Sequence, residues 1–225
     1  MNGVYLIFEF ADAAALSDKA NILRLMVALS DAGWQFLKKA IVCDDVPGDK
    51  YVPADMLAQA WENAIRAAPR YGGGYWMEMD DARGFRLSFG FNPKEARRLF
   101  LAVDKMSIGA SETNTRAFVS AAETIYNTLR PAYGYGLFNY DSHDLPAVGA
   151  GIKAAWDYNF LGAALVAEIG QAALHEIQAW GVAVLDDGGM LIEMSPNPVI
   201  QWRPYADAYK QAAAAFGVTQ VNQGG

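Results

Sequence analysis

The sequence predicts a single α+β domain, residues 1–225, whose sheet is mostly antiparallel with helices packed on a face. Strand-like and helix-like segments follow one another without the strict βαβ alternation that a doubly wound parallel sheet requires. Two pairs of adjacent strand-like segments are separated only by short turns containing Asp and Gly, which is the pattern of antiparallel hairpins. Of the 225 residues, 53% are hydrophobic, which is enough for one domain with a substantial core.

The N-terminal third predicts two strands and two helices. Alternating apolar residues indicate a strand over 4–10, and a helix capped by Ser17 is predicted over 17–32. The apolar stripe of that helix is Ile22, Leu25, Met26 and Leu29. A strand over 34–42, a loop and a helix over 55–68 follow. The second helix is predicted to bury Leu57, Trp61, Ile65 and Ala68.

The middle of the chain predicts a hairpin and a further strand. The hairpin strands are expected over 75–80 and 85–91, with Gly84 in the turn. The second hairpin strand alternates small or polar residues with Phe85, Leu87, Phe89 and Phe91. This alternation is typical of a half-buried strand. Another strand is predicted over 98–104.

The C-terminal half begins with the clearest helix, in SETNTRAFVSAAETIYNTLRP (111–131). Polar capping residues precede it and Pro131 follows it. Its apolar face is predicted to contain Phe118, Ala121, Ala122, Ile125 and Leu129. A strand over 133–140 comes next. Two short helices, a hairpin and a final helix are then expected over 163–169, 171–177, 181–185 with 190–194, and 204–216.

Two stretches, 75–93 and 180–198, share the same order of features. Each contains a Trp, a strand, an Asp-Asp pair, a Gly, a second strand and Asn-Pro. A duplicated hairpin unit would produce this pattern, and so would two unrelated hairpins, because Asp and Gly are the residues that hairpin turns use. Both explanations stay open.

Charge and cysteine content narrow the class of protein. The net charge is −7, and no Lys/Arg cluster exceeds the short group around Arg97 and Arg98, so no nucleic-acid partner is expected. The one cysteine, Cys43, permits no internal disulfide, as is usual in a reducing compartment. No basic n-region precedes the first apolar run, and no run is long enough for a membrane span. A cytoplasmic location without membrane association is therefore expected.

The stretch NYDSHDLP (139–146) is the strongest candidate for chemistry. Asp141, His143 and Asp144 fall within four positions, and His143 is one of two histidines. On an extended strand end, Asp141 and His143 would point to the same side, as metal ligands do. A zinc site needs at least three ligands, and few further His or Cys residues exist. Three interpretations stay open: a solvated turn, a partner-binding loop, or a metal-binding or hydrolytic site.

Other catalytic patterns are weak. No G-x-S-x-G elbow is present. Asp44 and Asp45 beside Cys43 would raise its pKa and disfavour the nucleophilic thiolate. The carboxylate pairs at 80–81 and 186–187 precede glycines in predicted hairpin turns, which favours a turn role. No cofactor and no resident metal are predicted, and the chain is not expected to be an enzyme.

Aromatic residues near carboxylates suggest a surface for a basic protein. Trp156 and Tyr158 alternate in AAWDYNFLG, and exposed Trp and Tyr are typical of protein interfaces. The residues predicted to bind a partner are Asp141, His143, Asp144, Trp156, Tyr158, Asp186 and Asp187.

The C-terminal half resembles a known family. The segments LRPAYGYG, WDYNFLGAALVAEIG and VAVLDDGGMLIEMSPNP, spread over 117–198, resemble immunity proteins of bacterial polymorphic and type VI secretion toxin systems, in particular the immunity protein 52 family. The resemblance implies a non-enzymatic protein that binds and neutralises a cognate toxin, a nuclease acting in the cytoplasm. A phage or mobile-element accessory protein is the remaining alternative.

Overall fold

The computed structural model describes residues 3–41, 45–68, 74–92, 97–109, 111–137 and 146–221. Within these ranges the strands are Gly3–Glu9 (β1), Gln35–Phe36 (β2), Tyr75–Asp80 (β3), Arg86–Phe91 (β4), Arg98–Asp104 (β5), Tyr133–Leu137 (β6), Ala154–Ala155 (β7), Tyr158–Leu161 (β8), Gly181–Val184 (β9), Met190–Glu193 (β10) and Gln220–Val221 (β11). The α-helices are Ala14–Ser17 (α1), Lys19–Asp31 (α2), Leu57–Ala67 (α3), Lys105–Gly109 (α4), Glu112–Leu129 (α5), Ala163–Ile169 (α6), Gln171–His175 (α7) and Ala206–Ala215 (α8).

One large sheet organises the described residues. Nine strands pair in the order β2-β3-β4-β5-β1-β6-β8-β10-β9, and every pair is antiparallel. The strands β7 and β11 form a separate parallel pair. The α+β prediction with a mostly antiparallel sheet is confirmed.

Helices lie on both faces of this sheet rather than on one face alone. On the first face, α2, α3 and α5 pack against apolar residues such as Leu6 and Phe8 of β1. On the second face, α6, α7 and α8 pack against the half of the sheet around β6, β8 and β10, where Ile7 marks the edge of that core. Alternate side chains of a strand point to opposite faces, so β1 contributes to both cores.

Local capping explains where the helices begin and end. The side chain of Asp18, not Ser17, caps α2 by accepting a hydrogen bond from the Ala20 N–H at 2.9 Å. The Ser111 hydroxyl caps α5 in the same way, and Arg130 ends that helix in the left-handed conformation at φ 52°. The predicted apolar stripes of both helices are buried as expected.

Two further sequence predictions were wrong in detail. The strand predicted over 34–42 is limited to β2, because the chain turns after Leu37 and folds back so that the Lys38 N–H donates to the Lys50 carbonyl at 3.0 Å. Ile65 was expected in the core but is 39% exposed on α3. The predicted hairpins and the strand over 98–104 are present with bounds within one residue of those expected.

Candidate protein-binding surface

Half of the second sheet face is left uncovered by the described helices, and Trp76 and Arg86 are its exposed residues. The described helices bury their apolar residues against the first face or against the other half of the second face. We call this half, on β3, β4, β5 and β1, the open face. Its outward side chains, by strand alternation, belong to Tyr5, Glu9, Trp76, Glu78, Asp80, Arg86, Ser88, Gly90, Arg98, Phe100 and Ala102.

Trp76 is the most prominent apolar residue of the open face. Trp76 is 52% exposed although it is the second residue of β3 and is paired with β4. It is paired with Gly90, and a Cβ atom at position 90 would lie only 2.6 Å from Cδ2 of the indole. The indole therefore lies across the β4 backbone, a position that requires glycine, and its centroid is 6.4 Å from that of Phe100. A rigid strand thus presents a large aromatic surface to solvent.

An apolar cleft of about 290 Å³ adjoins Trp76 at the β3 edge of the sheet, on the side where α3 packs against the first face. Its lining is almost entirely apolar and comes from Ala40, Ile41, Trp61, Ala64, Ala67, Ala68, Gly74, Tyr75, Trp76 and Met77. The cleft extends the apolar surface around the indole toward α3. A protruding aliphatic side chain of a partner would fit a cleft of this size and character.

A charged cluster centred on Asp80 lies at one end of the open face. Its carboxylate is buried and accepts a hydrogen bond from Arg86 Nε at 2.8 Å, while Lys50 Nζ lies 3.2 Å away. The Tyr51 hydroxyl also donates to it at 3.3 Å. Hydrogen bonds from Arg86, and to a lesser degree from Lys50, hold the pKa of the Asp80 carboxyl below its ordinary value. The cluster fixes the end of the β3–β4 hairpin.

The substitution Asp80→Asn is expected to lower the free energy of unfolding at pH 7 by roughly 1–3 kcal/mol, because hydrogen bonds to a charged partner are lost. The folded-state pKa of Asp80 lies below its unfolded-state value, so the stabilisation is complete above the ordinary aspartate pKa. It disappears as the pH falls through the lowered pKa. Urea unfolding of both proteins at pH 7 and in strong acid checks this; an equal difference at both pH values would contradict it.

A second ion pair closes the other end of the open face. Glu9 is 7% exposed and accepts a hydrogen bond from Arg98 Nε at 2.9 Å and one from the Tyr135 hydroxyl at 3.2 Å. Its other oxygen accepts the Gly149 N–H at 3.2 Å. Arg98 also donates to the Pro146 carbonyl. Of the basic pair at 97–98, Arg98 thus helps to hold residues 146–149 against the sheet.

The residues predicted to bind a partner do not form one cluster among the described residues. Asp141, His143 and Asp144 lie outside the described residues. Trp156 is 4% exposed and stacks on Tyr135 with centroids 5.1 Å apart. Tyr158 is completely buried. Both rings belong to the core, because helices cover the two faces of the sheet here: Tyr158 packs in the core of the first face and Trp156 in that of the second.

Asp186 and Asp187 lie in the β9–β10 turn, as their turn interpretation predicts. The Asp187 carboxylate accepts hydrogen bonds from the Tyr126 hydroxyl at 3.1 Å and from the Gly189 N–H at 3.0 Å, so it connects the hairpin to α5. Burial and the nearby Asp187 carboxylate raise the pKa of the Tyr126 phenol, which keeps this donor protonated. Asp186 is exposed. Asp187 is an exposed residue as well, so among the described predicted residues Asp186 and Asp187 reach the surface, Asp187 with its carboxylate engaged by Tyr126.

Sequence reasoning missed Trp76 and the Glu9–Arg98 pair. The signal for Trp76 was present, because Met77 and Met79 alternate with it and a hairpin register places Gly90 opposite. Within the described ranges, no group of three or more His, Cys, Asp or Glu side chains is arranged to hold a metal ion. None of the helices in the described part of the chain is long and apolar enough to cross a membrane.

Comparison with known proteins relates the fold to one of known structure. The "Pseudomonas aeruginosa T6SS protein PA0821" matches with a TM-score of 0.51 over 96% of this chain and 75% of that chain, at 11% sequence identity. Similarity at this level of identity establishes the shared fold only. No protein-family model matches the chain, and no curated protein matches its sequence.

Proposed function

We propose that this chain is a non-enzymatic immunity protein that binds and neutralises a toxin delivered by a type VI secretion system. The fold is shared with a protein described as belonging to that system. The segments over 117–198 resemble immunity proteins of such systems. The shared fold supports an association with that secretion system, and the resemblance supports the toxin-binding role.

The open face is the observation on which the proposal rests. An exposed indole lies flat over Gly90, an apolar cleft of about 290 Å³ adjoins it, and ion pairs hold both ends of the surface. Trp and Arg are the residues that most often dominate binding energy at protein interfaces. Since the surface is built on paired strands, little ordering entropy is lost on binding.

Charge supports a basic partner, for which we propose a nuclease toxin acting in the cytoplasm. The net charge of −7 would attract a protein whose active-site groove is positively charged in order to bind phosphates. Such attraction raises the association rate more than it lowers the dissociation rate. The association rate constant of the wild-type protein with the toxin should therefore fall as the salt concentration rises.

The decisive experiment combines toxin rescue with a surface variant. Co-expression of the wild-type chain with the toxin encoded beside its gene should restore growth and give a stable complex. Trp76→Ser should raise the dissociation constant by roughly 30-fold or more, as loss of an interface hot spot does. Val27→Ser is the matched control, since Val27 is 48% exposed on α2, which packs against the first face.

The outcomes separate the function from the surface. Absence of rescue and of a complex with wild-type protein would overturn the immunity function. Rescue with unchanged affinity of Trp76→Ser would keep the function and remove the open face as its binding site. Urea unfolding of each variant shows whether the fold is retained.

A further inference from the structure

The outermost strand β9 has the features of a pairing edge. It is the terminal strand of the nine-stranded order, so only β10 pairs with it among the described strands. Residues 180–185 contain no charged residue and no Pro. The side chains of Val184 and Trp180 are 55% and 40% exposed. Edge strands that stay unpaired are usually protected by Lys, Pro, bulges or short length, and the opposite edge, β2, has only two residues.

The hairpin register determines which backbone groups of β9 face outward. The Leu185 N–H donates to the Gly189 carbonyl at 2.8 Å, so Leu185 is a hydrogen-bonded position of the hairpin. Because hydrogen-bonded and non-hydrogen-bonded positions alternate in antiparallel pairs, Ala183 and Gly181 also direct their N–H and C=O groups toward β10. Val182 and Val184 direct theirs away from the sheet. This edge therefore offers two donors and two acceptors flanked by apolar side chains.

We propose that β9 pairs antiparallel with β9 of a second copy of this chain, across a two-fold axis at Ala183. In this register Val182 of each copy faces Val184 of the other, and both use their outward backbone groups. The two sheets then continue as one, and the valine side chains of opposite copies lie on the same face. The contact is isologous, as a two-fold symmetric dimer requires.

Charge complementarity favours a second copy in this register. The centre of the strand is uncharged, so the net charge of −7 places no like charges opposite each other there. At the ends, the exposed Asp186 of one copy comes beside Trp180 of the other. The Arg116 guanidinium lies 4.7 Å from the centroid of that indole and is ion-paired with Glu193 at 2.6 Å. Asp186 of one copy thus approaches the guanidinium of the Arg116–Glu193 pair of the other at both ends of the contact.

This dimer goes beyond the proposed function and does not compete with it. In the strand order, β9 stands seven strands away from β3, which carries Trp76. With about 4.8 Å between neighbouring strands, the two sites are separated by roughly 30 Å. Each dimer would keep both open faces available, so variants of the β9 edge and of Trp76 report on different contacts.

Sedimentation velocity over a concentration series tests the dimer. Wild-type protein should reach the mass of two chains at concentrations on the order of 100 µM, since a short strand pair is a small interface. Val184→Lys should raise the dimer dissociation constant by about 30-fold or more. Val27→Lys introduces the same charge at another exposed valine and should leave it unchanged.

Disulfide trapping tests the register in a Cys43→Ser background. Ala183→Cys should cross-link two chains under mild oxidation, because non-hydrogen-bonded partners have Cβ atoms roughly 4.5 Å apart. Val184→Cys should not cross-link to itself, since diagonal Cβ atoms are about 7–8 Å apart. A monomeric wild-type protein at all concentrations would overturn the proposal. The proposal would also be overturned if the protein is monomeric and Val184→Lys lowers its affinity for the toxin, because the β9 edge would then bind the toxin.

Discussion

Replacing Phe160 by alanine is expected to lower the free energy of unfolding by about 3–5 kcal/mol. Phe160 is completely buried on β8. Its ring packs edge-on against Phe8, with centroids 5.3 Å apart, and stacks with Tyr126 at 5.8 Å. It therefore joins the centre of the sheet to α5. Its loss leaves a cavity that neighbours in paired strands cannot close, and the penalty is a large fraction of the stability of a typical domain.

Urea unfolding at pH 7 measures this effect. Val27→Ala is the control, because Val27 is half exposed on α2 and its truncation should change the free energy of unfolding by less than about 0.5 kcal/mol. A loss below about 1 kcal/mol for Phe160→Ala would contradict the central position of this ring. Xenon or benzene binding to the variant would locate the cavity directly.

Sequence patterns predicted the elements whose periodicity is long and whose turns are explicit. The helix α5 has a capping Ser111, five turns of apolar spacing and a following Pro131, so its face could be predicted residue by residue. The hairpin β3–β4 was equally clear, because period-two alternation and an Asp-Gly turn agree. Local signals suffice where they all favour the same structure.

Long-range pairing explains what the sequence did not predict. Trp156 and Tyr158 were predicted to bind a partner, yet they are buried in the cores on the two faces of the sheet, where distant segments of the chain come together. In the same way, no local pattern shows that α8 covers the second face. Trp76, in contrast, is exposed. Its exposure depends on which half of the second sheet face the C-terminal helices cover.

The two echoing hairpins occupy opposite ends of the sheet. In both, the first strand is the outer one, and a Trp at or just before its start is exposed: Trp76 in one and Trp180 in the other. This correspondence is compatible with a duplicated unit and with two unrelated hairpins, and both explanations stay open. The two tryptophans differ in their neighbours: Trp76 lies over Gly90, whereas the Arg116 guanidinium lies over the Trp180 ring. Their separate environments are the basis for assigning them to separate contacts.

The substitution Glu9→Ala is expected to lower the free energy of unfolding by about 3–5 kcal/mol, because it leaves a buried guanidinium without its counter-ion. Glu9 and Arg98 face each other across β1 and β5, and the side chain of Arg98 is only 13% exposed. Glu9 also accepts hydrogen bonds from the Tyr135 hydroxyl and the Gly149 N–H. One carboxylate thus holds a strand pair, an aromatic residue and the chain at 146–149 together.

A double-variant cycle distinguishes this interaction from a simple loss of packing. The double variant Glu9→Leu with Arg98→Met should be less destabilised than the sum of the two single variants, since each single variant leaves one buried charge unpaired and the double variant leaves none. Additive losses would contradict the interpretation. Amide hydrogen exchange supplies a second measurement: the Gly149 N–H should exchange faster in Glu9→Ala even at low denaturant, because its acceptor is gone. If the exchange rate of the Gly149 N–H stays unchanged while the free energy of unfolding falls, Glu9 stabilises the sheet but does not hold the segment that follows Pro146. The end of the open face would then keep its structure without this ion pair.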